Sequence, residues 1–200
     1  MISIFDNVLT EQEHYNIDQL VKNITWTQGW GSSTRRPEVS HWNFSFSSPE
    51  QMLPSMDSGD YAKMFETYPE LEPLWKATDK LLRINHGKFD VLRFYSNCNP
   101  YGQNGYIHED DGDYTVIYYP ALKWDAEWEG GTCLYSETKG EYDAIRYVSY
   151  KPNRLLVFPA NIPHRAMPVD KLCLENRIVV VMKLQRDVNH PSYMEKYYAQ

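Results

Sequence analysis

The feature that most constrains this chain is a change of period near residue 88. Beyond it the sequence breaks into short strand-like runs: Phe89–Tyr95, Tyr114–Tyr119 closed by Pro120, Thr132–Tyr135 behind Gly130-Gly131, Tyr147–Tyr150, Arg154–Phe158 and Arg177–Leu184. Turn-forming residues separate them, and 97–105 reads as a turn-rich loop. A series of short strands can bury its apolar residues only by closing into a sandwich or barrel. Before residue 88 the period is helical. Thr10 and Glu13 have capping-box spacing, and Ile17, Leu20, Val21 and Ile24 follow on one helix face. A second helical stretch covers about 60–86, interrupted near Pro69 and Pro73, with Gly87 as its stop. Ile2–Phe5 and His41–Phe46 are strand-like. The expected fold is mainly β with N-terminal helices, a jelly-roll core flanked by helices. A single domain over 1–200 would comprise a helical and loop part at 1–88 packing on the core, the core itself at 89–185 and a tail at 186–200.

Charge and cysteine usage narrow the function classes. A net charge of −7 gives no basic face for nucleic acid. Cys98, Cys133 and Cys173 lack CxxC spacing, so they form neither a zinc motif nor a disulfide framework. No apolar run has the length of a signal peptide or a transmembrane helix. The expectation is a soluble, cytoplasmic protein in a reducing compartment, with neither nucleic acid nor membrane as partner.

Two segments carry chemistry: Tyr106-Ile107-His108-Glu109-Asp110, and Pro163-His164. On an extended strand His108 and Asp110 leave the same face, together with Tyr106. His164 joins them only if the chain folds back. Two imidazoles and a carboxylate on one side of an octahedral ion leave three positions open, the ligand set of non-haem Fe(II) oxygenases. Alone, H-x-D describes a polar edge strand, and a histidine after proline is an ordinary loop residue. Arg177, at the start of the last apolar strand, has the planar fork that pairs with a carboxylate. Without such a ligand it reads as a strand-end arginine facing solvent. Tyr119 shares a face with Thr115 and Ile117 and reads equally as a core tyrosine.

The ordered set Leu92-Arg93-Phe94-Tyr95, His108-Glu109-Asp110, Thr115-Val116-Ile117-Tyr118-Tyr119, Trp124-Asp125, Gly130-Gly131-Thr132, Pro152–Phe158, Pro163-His164, Pro168-Val169 and Arg177 resembles the Fe(II)- and 2-oxoglutarate-dependent dioxygenases, in their prolyl 4-hydroxylase branch. The T-x-I-Y-Y strand followed by W-D and G-G looks particularly like the oxygen-sensing prolyl hydroxylases. The resemblance implies a double-stranded β-helix and His108, Asp110 and His164 as iron ligands. It implies Arg177 and Tyr119 on the distal carboxylate of 2-oxoglutarate, with Tyr95 and Thr115 lining the cosubstrate pocket. Lys183 is the other basic residue available for the clamp. The implied cofactors are Fe(II), 2-oxoglutarate and O2, with ascorbate as a possible addition. The implied reaction is hydroxylation of a C–H bond, with a proline-containing peptide or protein as substrate.

The Trp- and Gly-rich segment 25–59 is the kind of long connection that serves as a binding loop. Trp30, Arg36, His41 and Trp42 are its candidates to touch a substrate, with Tyr106 beside the metal segment. Other readings of the same residues are a hydroxylase of a free amino acid or other small molecule, a non-catalytic jelly roll holding a structural metal, and a zinc hydrolase.

Overall fold

A computed structural model describes residues 2–31, 40–47, 60–85 and 87–186. Ten strands and three helices are defined within them: β1 (Ser3–Asp6), α1 (Glu11–Asn23), β2 (Thr27–Gly31), β3 (Ser40–Ser45), α2 (Asp60–Thr67), α3 (Leu71–Asn85), β4 (Phe89–Asn99), β5 (Tyr114–Tyr119), β6 (Thr132–Thr138), β7 (Glu141–Val148), β8 (Arg154–Pro159), β9 (His164–Ala166) and β10 (Arg177–Arg186). Strands dominate and pair antiparallel, in one sheet of order β1-β8-β5-β10-β4-β3-β2 and a smaller one of order β7-β6-β9. This is the expected jelly-roll class with helices on the outside.

The larger sheet is covered on both faces, and the alternation of its side chains shows how. Val116 and Tyr118 of β5, Leu155 and Val157 of β8, and Val180, Met182 and Leu184 of β10 join Ile17 and Val21 of α1 and Leu71, Leu74 and Leu82 of α3 in one core. The intervening residues Ile117, Tyr119, Leu156, Phe158, Val179 and Val181 join Leu134 and Val148 of the smaller sheet in a second core. A strand with both faces covered is apolar at nearly every position, so all six residues of β5 are buried. The helix ends follow their local chemistry. Thr10 and Glu13 form a reciprocal capping box on α1, worth about 1 kcal/mol. Gly87, at φ 92°, takes the left-handed position beyond α3 and donates to the Leu82 carbonyl.

Four expectations need correction. The N-terminal part does more than pack on the core, since it contributes β1, β2 and β3 to the larger sheet. β4 runs on through Ser96–Asn99, although Ser, Asn and the following Pro100 read as a turn; its backbone is fixed by pairing with β3 and β10 on its two sides. β7 extends from Glu141 to Val148, longer than the short strand at its C-terminal end. Pro73 lies in the first turn of α3, where its missing N–H costs nothing, and does not interrupt the helix. Arg36 and the tail beyond Arg186 lie outside the described residues.

Candidate metal centre

His108, Asp110 and His164 converge. Their ligand atoms all lie within 4.8 Å of one another. His164 opens β9, while His108 lies in an irregular segment bridged to β9 at His164 itself. The two histidines exchange backbone hydrogen bonds of 3.1 and 2.9 Å, and Asp110 N–H donates to the Ala160 carbonyl at 2.9 Å. The regular strand expected at His108–Asp110 is therefore absent, and cross-chain backbone bonds place the two side chains instead. Asp110 Oδ1 is 3.4 Å from His108 Nε2, and Asp110 Oδ2 is 3.2 Å from His164 Nε2.

The protonation pattern suits a metal. His108 Nδ1–H donates to the Tyr106 carbonyl at 2.7 Å and His164 Nδ1–H to the Ile162 carbonyl at 2.9 Å. A carbonyl can only accept, so Nδ1 keeps the proton and the Nε2 lone pair is free for coordination. Burial, and then the neighbouring His164, hold His108 down at about 3. Burial holds His164 at about 4, and both rings are neutral at neutral pH. Thr115 Oγ1–H donates to Asp110 Oδ2 at 2.6 Å, and the Lys183 ammonium contacts the same oxygen.

These residues line one cavity of about 160 Å³, whose wall along β10 is built by Arg177, Val179, Val181 and Lys183. The period of two that sends Ile178, Val180 and Met182 toward the helices sends these four inward. Arg177 is 2 % exposed. Its Nε donates to the Gly130 carbonyl at 2.5 Å, Nη1 to Asn99 Oδ1 at 3.4 Å, and Nη2 to the Gly131 carbonyl at 3.3 Å and Thr132 Oγ1 at 3.2 Å. Among the described residues no carboxylate pairs with it. Burial lowers its pKa, and nearby Tyr119, Tyr150 and Tyr147 oppose the shift. A buried guanidinium with neutral partners only is a costly arrangement that an anionic ligand would relieve.

The W-D and G-G pieces of the sequence serve this arginine. Trp124 stacks on Tyr150 with ring centroids 3.8 Å apart and donates from Nε1 to the Glu129 carbonyl at 3.0 Å. Asp125 caps the short turn Ala126–Trp128. Gly130, at φ 69°, and Gly131, where a Cβ would strike the Val148 carbonyl and the Tyr147 ring, then bring two carbonyls onto Arg177.

Of the other candidates, Tyr95 and Thr115 line the cavity. Tyr119 is buried behind its wall, its hydroxyl 2.8 Å from Thr132 Oγ1. Trp30 lines the cavity with Gly31 and His41, from the β2–β3 side. Trp42 and Tyr106 are not among the lining residues: alternation along β3 turns Trp42 to the opposite face from His41, and Tyr106 supplies its carbonyl to His108. Glu109, which strict strand alternation would turn away from His108 and Asp110, lines the same cavity as an exposed residue. His41 is 5 % exposed, its Nε2 has no partner, and burial holds it at about 4, with His108 and Arg177 lowering it further.

Asn99 and Thr132, both on Arg177, carried no assigned role in the sequence. Counting inward from Tyr95 in steps of two reaches Asn97 and Asn99, but only once β4 is known to continue that far. Among the described residues no helix is long and apolar enough to cross a membrane.

No family model matches the sequence, and no curated protein matches it significantly. Solved structures do match in fold. A prolyl hydroxylase from Trichoplax adhaerens, in complex with a peptide fragment of the hypoxia inducible factor oxygen degradation domain, is 19% identical, with TM-score 0.62 over 92% of this chain and 83% of that one. A 2OG-Fe(II) oxygenase family oxidoreductase from Burkholderia pseudomallei is 12% identical, with TM-score 0.61 over 93% and 85%. A prolyl-4-hydroxylase from Pseudomonas putida is 13% identical, with TM-score 0.54 over 92% of both chains. The chain therefore has the fold of prolyl hydroxylases and 2OG-Fe(II) oxygenases, with a His-Asp-His cluster in its cavity.

Proposed function

We propose that the protein is an Fe(II)- and 2-oxoglutarate-dependent dioxygenase that hydroxylates a C–H bond, with a prolyl residue of a peptide or protein as substrate. The observation that carries this reading is the sharing of one cavity by three neutral-or-anionic metal donors and a buried arginine lacking a carboxylate partner. Neither a structural metal nor a zinc hydrolase requires such an arginine.

Ferrous iron, with the keto acid and O2, would supply the oxidising chemistry. His108, Asp110 and His164 would hold the ion from one side, leaving its other positions to ligands. Arg177 would take the far carboxylate of 2-oxoglutarate with its planar fork, with Asn99, Thr132 and the buried Tyr119 fixing that end. Val179, Val181 and Ile117 give the space between an apolar wall that excludes water.

Size favours a substrate that lies across the mouth. A cavity of about 160 Å³ falls below the 300–1,000 Å³ that encloses a drug-sized ligand, roughly. It accommodates one small dicarboxylate and little more. The substrate then meets Trp30, Gly31 and His41 on the β2–β3 side and Glu109 near the metal donors. The peptide held by the Trichoplax relative supports a peptide here. Incubation with Fe(II), 2-oxoglutarate and O2 against a panel of proline-containing peptides tests the proposal. Mass spectrometry should find one oxygen added to a prolyl residue, with succinate formed in step. Succinate with no oxidised peptide would move the substrate to a small molecule, and neither product would overturn the reading.

A further inference from the structure

One oxygen of the Asp110 carboxylate is already engaged within the protein. Its side chain is 7 % exposed and Lys183, 3 % exposed, sits on its Oδ2. Thr115 Oγ1–H donates to the same oxygen at 2.6 Å, and Lys183 Nζ also lies 3.4 Å from Thr115 Oγ1, closing a triangle. The ammonium lies 5.9 Å from the Tyr95 ring centroid, where the π face favours a cation. Lys183 reaches this position because β10 sends Arg177, Val179, Val181 and Lys183 to one face, and Thr115 is its cross-strand partner on β5.

We propose that Lys183 is a positioning residue that holds the Asp110 carboxylate in place before a metal binds, and that it competes with the metal for that carboxylate. The inference rests on the metal-binding part of the function proposed above. Two neutral imidazoles and one carboxylate make a site of charge −1. With the ammonium on Oδ2 the metal-free site sums to zero, so its buried groups satisfy one another without an ion. An incoming divalent cation then meets a site without net charge instead of one at −1, which weakens its binding. Oδ2 is already engaged by Thr115 and Lys183, which leaves Oδ1 as the oxygen presented to the metal.

The test compares wild type, Lys183→Met and the double variant Asp110→Asn/Lys183→Met. Thermal unfolding is measured with and without Mn(II), and Mn(II) affinity by the loss of the free-ion electron paramagnetic resonance signal. In Lys183→Met the metal-free midpoint should fall by roughly 10 °C, because a buried carboxylate loses its partner. The same variant should bind Mn(II) about tenfold more tightly, and the bound ion should restore most of the lost midpoint. The double variant should recover the metal-free midpoint toward wild type. If Lys183→Met alone does not accumulate, the double variant decides: a cooperative melt near wild type supports the ion pair, and continued failure to fold overturns it in favour of simple packing. Equal loss of midpoint with and without Mn(II), at unchanged affinity, also overturns it. A wild-type protein that binds no Mn(II) removes the metal centre and this proposal together. A wild type that binds normally beside an unaffected Lys183→Met removes the Lys183 role alone.

Discussion

Arg177 and Lys183 stand at opposite ends of the same face of β10, both buried and both cationic, yet their surroundings differ in one respect. Lys183 has a carboxylate in contact, whereas Arg177 has carbonyls, an amide and a hydroxyl. A buried cation with its own anion is a closed unit, and one held only by neutral acceptors is half of a pair. The difference assigns the two ends of the cavity. On the proposed function, the Lys183 end would organise the metal donors, and the Arg177 end would take a ligand's carboxylate.

The largest effect that could break this division is loss of a donor. His108→Ala or His164→Ala should abolish Mn(II) binding and peptide oxidation, as read by titration and mass spectrometry; retained binding would mean that the cluster is not the metal site. Next comes Arg177→Met. It should weaken 2-oxoglutarate binding by about 100-fold, the loss expected when one partner of a buried charge pair is truncated. Its ligand-free midpoint should hold or rise, because the variant removes a buried charge held only by neutral acceptors. That is the opposite sign to Lys183→Met, and parallel losses in the two variants would erase the comparison.

Acid sharpens it further. Burial pulls His108 to about 3 and His164 to about 4 from an ordinary 6.5. Below 6.5 the unfolded chain takes up protons that the folded chain refuses, so this stability is complete above that pH and is lost as pH falls toward the folded values. Each histidine costs up to about 1.4 kcal/mol per pH unit in that window. Midpoints of the metal-free protein measured between about pH 7.5 and pH 5 should fall accordingly, while the Mn(II) affinity of the folded protein, whose two rings stay neutral there, should hold. The smallest effect belongs to the mouth. His41→Ala should raise the KM for the oxidised substrate several-fold and leave 2-oxoglutarate affinity unchanged; an equal effect on both would place His41 with the clamp.

Much of this was legible in the sequence because it is periodic. Strand spacing separated Arg177 and Thr115 from their apolar neighbours, and Thr10–Glu13 marked the start of α1. The candidate metal residues were legible through the ordered set of motifs around them, because H-x-D and a histidine after proline are each commonplace alone. What stayed hidden depends on long-range pairing. Asn99 was obscured because a run of Ser and Asn before proline looks like a turn until β3 and β10 flank it. The contact of Lys183 with Asp110 joins residues brought together only when β10 pairs with β5. Trp42 and His41 are adjacent in sequence, and only the register of β3 on β4 decides which faces the cavity.

The most direct measurement is an anaerobic titration of the Fe(II)-loaded protein with 2-oxoglutarate, followed by visible absorption. A keto acid chelating the iron while Arg177 holds its far end should produce a saturable charge-transfer band, displaced to about 100-fold higher concentration in Arg177→Met. Absence of the band, or a band with unchanged affinity in that variant, would contradict the account.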